Sequence, residues 1–140
     1  MTIELVHELF TTIRDANKSP FGMLDSQNIL KGNPVARNRF VSVNGDGMIK
    51  NGGFDTYLYE IKLGKITNAH VKQAFKEIGF NSGLEILNKA KRSADLNALD
   101  MAYYQLDEEF EKLLIDYLRQ HWENLEFVAY CESISFKRDQ

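Results

Sequence analysis

The chain has 140 residues, 44% apolar and 26% charged, with a net charge of −3. That length supports one domain with its own core, and that composition excludes global disorder. The mildly acidic balance, with a pI near 5.6, argues against nonspecific nucleic-acid binding, which needs a basic face.

Residues 2–16 read as an amphipathic helix. Thr2 suits the cap, Leu5 or Val6 leads to Phe10 and Ile13, and Glu4 and Arg14 sit at the ends that the helix dipole favours. The run Asn17-Lys18-Ser19-Pro20-Phe21-Gly22 ends it. Residues 23–30 have room for one or two helical turns before Lys31-Gly32-Asn33-Pro34 breaks the chain again. Residues 35–43 fit either a helix end or a short strand. Asn44-Gly45-Asp46-Gly47 reads as a turn, a loop or a small hairpin.

Asn51-Gly52-Gly53-Phe54-Asp55-Thr56-Tyr57-Leu58-Tyr59 is the most unusual stretch. Paired glycines suit a tight corner, and Phe54, Tyr57 and Leu58 at i, i+3 and i+4 make one apolar helical face. Leu63-Gly64-Lys65 closes that unit.

Thr67 caps a helix through about residue 78, with Val71, Ala74, Phe75 and Ile78 inward and Gly79 as the stop. Ser82-Gly83-Leu84-Glu85 has the form of a capping box, followed by Leu84, Leu87 and Ala90. Residues 95–104 make another short helix. Residues 107–122 hold the clearest one, with Phe110, Leu113, Leu114, Tyr117 and Leu118 as its buried stripe. Residues 127–136 carry Val128, Tyr130, Ile134 and Phe136, a composition for a C-terminal strand or a tail laid over the helices. The fold expected is mainly α: one multi-helix domain over residues 1–140, with a short hairpin or C-terminal strand as its only departures.

No catalytic constellation stands out. His7, His70 and His121 lie on separate elements without metal-ligand spacing, and Cys131, the single cysteine, reads as a buried apolar residue. One cysteine excludes an intrachain disulfide and a multi-cysteine zinc site. Asn51-Gly52-Gly53 lacks the spacing of a phosphate loop. No catalytic residue, metal ligand or cofactor is expected. Without a signal peptide or a membrane span, the expected location is cytoplasmic.

Charge is the feature with functional colour. Between residues 100 and 132 there are nine acids against two bases, a balance of −7, whereas residues 66–99 balance at +2. Asp107, Glu108, Glu109, Glu111 and Asp116 are the candidate partner-binding residues, and Asn51, Gly52, Gly53, Phe54 and Tyr57 are structural. Segregated charge steers a basic partner to one face; a solvated helix face is the bland alternative.

Three segments together resemble the DNA mimic protein family: the corner from Asn51 to Leu58; Ala74-Phe75-Lys76-Glu77-Ile78-Gly79 leading into Ile86-Leu87-Asn88-Lys89-Ala90; and Leu106-Asp107-Glu108-Glu109-Phe110. The resemblance spans about residues 45–127. It implies a mostly helical fold without known catalysis. In the family's characterised member it implies a homodimer whose acidic surface imitates DNA phosphates and occupies a DNA-binding protein. The resulting expectation is a non-enzymatic interaction domain. Its partner is a basic, DNA-binding protein, with no direct contact to nucleic acid or membrane. Two other readings stand beside it: a small hydrolase or metal-dependent enzyme with a pocket near residues 51–59, and an immunity or antitoxin-like protein.

Overall fold

A long helix, Pro34–Lys50 (α3), is the axis on which the domain is assembled. It starts at a strong signal: Asn33 accepts hydrogen bonds from the Val35 and Ala36 amides, and Pro34 takes the first helical position, where no amide donor is needed. Its buried residues go all the way round, from Val35, Ala36 and Asn38 through Arg39 to Ser42, Gly45 and Ile49. A helix covered on all sides carries no one-sided apolar pattern. That is why residues 35–43 look ambiguous.

The computed structural model describes residues 2–18, 26–92 and 94–136. Around α3 stand α1 (Ile3–Ala16), α2 (Ser26–Leu30), α4 (Gly53–Glu60), α5 (Asn68–Glu77), α6 (Asn81–Lys89), α7 (Leu96–Tyr104), α8 (Asp107–His121) and α9 (Leu125–Ser133). The described residues include no strand. α3 packs against α2, α4, α5 and α8, while α7 closes over α4 and α6. The break expected at Ser19 to Gly22, and the start of the 23–30 segment, lie outside the described residues; Ser26–Leu30 is helical as expected.

Two expectations of non-helical structure are corrected. The Asn44 to Gly47 turn or hairpin is instead helical interior. A Cβ on Gly45 would lie 2.6 Å from Val71 Cγ1, so this glycine lets α3 and α5 approach closely and does not turn the chain. The C-terminal strand is α9, capped by Asn124, which accepts from the Phe127 amide at 3.0 Å. Phe127 and Cys131, at i and i+4, are its fully buried pair.

The expected capping box at Ser82 is also absent. α6 begins at Asn81 with no side-chain cap, and Ser82 donates instead to Glu109 at 3.1 Å. A capping box does form at Thr67, where the N3 partner is His70.

At the glycine corner, α3 and α4 are joined through Asn51 and Gly52, and Gly53 has φ +77°. Asp100 of α7 accepts the Phe54 amide at 2.8 Å and so caps α4 from another helix. Phe54 and Tyr57 are fully buried behind it. Their rings belong to the central aromatic cluster: Phe54 meets Tyr103 edge-on at 5.6 Å, and Phe80 lies 5.1 Å from both Phe75 and Phe110.

Candidate functional site

At about 100° per residue, the core stripe of α8 is Phe110, Leu114, Tyr117 and Leu118, all buried. The same spacing puts Asp107 in line with that stripe, one turn ahead of Phe110, Glu111 on its flank, and Glu108, Glu109 and Asp116 outward. Contacts agree with that placement. Asp107 pairs with Lys50 of α3, whereas Glu109 accepts from Ser82 of α6. The five candidate acids are therefore spread around α8 and do not form a single row.

Their charges are not equally available. Asp107 is balanced by Lys50, and Asp116 sits 3.7 Å from Arg119. Glu108 and Glu111 are exposed and form no ion pair among the described residues. Past the end of α8, Glu123, Glu126 and Glu132 are also exposed.

Sequence reading missed the polar cluster where α8 meets α3. Lys50 Nζ lies 2.9 Å from Asp46 Oδ2, the i,i+4 spacing that was its one available signal. The other Asp46 oxygen accepts from the Tyr103 hydroxyl at 2.7 Å, bringing in α7. Burial alone pulls the Lys50 ammonium down, but its hydrogen bonds to Asp107 and Asp46 outweigh that and hold the group above the ordinary lysine value. Burial lifts the Tyr103 hydroxyl well above the tyrosine range, and the Asp46 charge adds to it.

Burial likewise raises Tyr57, Tyr117 and Tyr130. A phenol whose folded value exceeds its unfolded value near 10 binds its proton more tightly in the fold, so its stabilisation is present below pH 10 and lost above it. Lys50 behaves the same way above its ordinary 10.5. Urea midpoints should accordingly hold from neutral pH to about 9 and fall beyond about 10. There the loss from these four phenols and Lys50 outweighs the opposite change at Arg39, whose burial lowers its value and makes its deprotonation stabilising. A midpoint unchanged at pH 11 would contradict this assignment.

Beside the cluster, α1, α3 and α8 line a half-open cavity of about 330 Å³, bounded by Val6, Phe10, Val43, Phe110, Leu114 and Ile115 with His7 and Arg39 in its wall. Arg39 is 4% exposed. Its Nη2 donates to the Val6 carbonyl at 3.2 Å and its guanidinium lies 4.6 Å from the Phe10 ring centroid. Nε and Nη1 have no hydrogen-bond partner. Burial pushes Arg39 down to about 9, which leaves it charged at neutral pH. A cation–π contact worth about 2 kcal/mol at best and one charged hydrogen bond worth about 1.5–3 kcal/mol do not cover the several kcal/mol that burying an ion costs.

At the corner Gly53, Phe54 and Tyr57 are buried, whereas Asn51 and Gly52 are exposed. An open depression of about 530 Å³ near it is lined by Asp55, Thr56, Leu58, Tyr59, Arg92 and Leu96. His70 is engaged in the α5 cap, and His121 packs 4.7 Å from the Tyr117 ring. Among the described residues, no three His, Cys, Asp or Glu side chains converge as a metal site. No described helix is long and apolar enough to cross a membrane.

A family model described as DMP19-like protein matches residues 32–121, from the α3 cap to the end of α8. No curated protein and no solved structure matches the chain.

Proposed function

The chain belongs to the DMP19-like protein family, and from that membership we propose a non-enzymatic interaction domain that engages a basic, DNA-binding protein. The observation that supports this reading is the excess of exposed carboxylates along α8 and α9: Glu108, Glu111, Glu123, Glu126 and Glu132. Such groups offer a partner's Lys and Arg side chains the fixed negative charge that DNA phosphates would. Glu108 and Glu111 are the contacting members of the five α8 acids. Asp107 and Asp116, already paired, and Glu109, tied to α6, shape the rim. A homodimer in the cytoplasm is the form in which this role is proposed.

Salt is the discriminating variable. The tagged chain should capture a basic partner at about 50 mM salt and release most of it by about 300 mM, where exposed charges are screened within several ångströms. Added duplex DNA should compete. Replacing Glu108, Glu111, Glu123 and Glu126 with Gln together should weaken capture by roughly tenfold or more, through slower association. A partner held equally at both salt levels and indifferent to DNA would exclude the proposal.

A further inference from the structure

We propose that the cavity between α1, α3 and α8 is a binding site for a small organic monocarboxylate with a short apolar tail, its carboxylate received by Arg39. Two independent features point to the same ligand. The first is the guanidinium: buried, charged at neutral pH, and with Nε and Nη1 unpartnered. These donors belong to the planar fork that a carboxylate fits. The second is the space beside it. About 330 Å³ bounded by Val6, Phe10, Val43, Phe110, Leu114 and Ile115 lies at the small end of ligand cavities, which run from about 300 to 1,000 Å³.

The remaining charges around the cavity decide which anion fits. Asp46 and Asp107 share Lys50, and Asp46 also holds the Tyr103 hydroxyl, so that ammonium is already occupied. Glu111 is exposed at the rim. Two cations, Arg39 and Lys50, thus face three carboxylates, with His7 also in the lining. A dianion such as phosphate is therefore repelled more strongly than a monoanion held by the unpartnered guanidinium donors. Phe10 is only half-buried and lies over the guanidinium, so its ring is the part that yields when the carboxylate enters. The cavity shares only its rim residues Asp107 and Glu111 with the acids of α8, and its test does not depend on any protein partner.

Amide NMR spectra of the whole chain, titrated with hexanoate, should shift saturably in α1, α3 and α8 at millimolar concentration. Hexanol and inorganic phosphate should bind at least roughly tenfold more weakly, the loss expected when a charge-assisted pair is missing. Arg39→Met keeps the length and apolar stem and removes the unmatched charge. It should melt no lower than the wild type and lose hexanoate by a similar factor. The proposal fails if hexanoate causes no saturable shift, if hexanol binds as well as hexanoate, or if Arg39→Met retains the affinity. A lower melting temperature for Arg39→Met would also overturn it, since the guanidinium would then be satisfied by the fold alone. The comparison of hexanoate with hexanol needs no variant.

Discussion

Tyr103→Ala is expected to cost about 3–5 kcal/mol of folding stability, the usual penalty for emptying a buried aromatic site. Tyr103 is 1% exposed and lies edge-on to Phe54 at 5.6 Å and Phe80 at 6.1 Å. It therefore joins the α4 corner to the α5–α6 aromatic cluster, and a void there removes contacts from both. Tyr103→Phe keeps the ring and isolates the hydroxyl. Asp46 would lose one of its two partners yet keep Lys50 at 2.9 Å, so the expected cost is about 1–2 kcal/mol, in the lower part of the range for a buried polar group left short of a partner. Chemical unfolding of the two variants separates packing from hydrogen bonding. If Tyr103→Phe matched the wild type, the Asp46–Tyr103 bond would have no energetic role. If Tyr103→Ala cost less than about 1 kcal/mol, the cluster would not be a packed core.

How much of this was legible in the sequence depends on whether a helix shows water one face. α1, α5 and α8 do, and their periodicity, caps and bounds were readable: Thr2 and Thr67 cap where expected, and the buried face of α8 is nearly the stripe its spacing implies. α3 does not, because it is enclosed, and its Gly45 and Gly47 imitate turn residues. α9 misleads by composition, since Val128, Tyr130 and Ile134 favour strands in isolation. The i,i+4 pair of Phe127 and Cys131 was the better guide. The candidate site divides the same way. The acids of α8 were visible as a run, but their spread around the helix, and the pairing of Asp107 with Lys50 across 57 positions, are properties of packing. Arg39 gave no signal at all. An arginine two positions from another, Arg37, is ordinarily solvated, and only the arrangement of α1 over α3 buries this one.

Gly53→Ala carries the second large expected effect, a loss of about 1–3 kcal/mol from two separable causes. At φ +77° an L side chain is strained, and its Cβ would lie 2.5 Å from the Asp100 carboxylate that caps α4. Asp100→Ala alone should cost about 0.5–2 kcal/mol, as for any lost helix cap. The double variant should then be less damaged than the two losses added, because removing Asp100 removes the collision and leaves only the backbone strain. The shortfall measures the steric part. Gly47→Ala is the control: it lies inside α3 with nothing within 4 Å of where an added methyl would sit, and should be neutral or stabilising by up to about 1 kcal/mol. Additive losses at Gly53 and Asp100 would mean that the corner is held by backbone geometry without the cross-helix cap. A harmless Gly53→Ala would remove both causes, and with them the physical reason for a glycine where α3 hands the chain to α4.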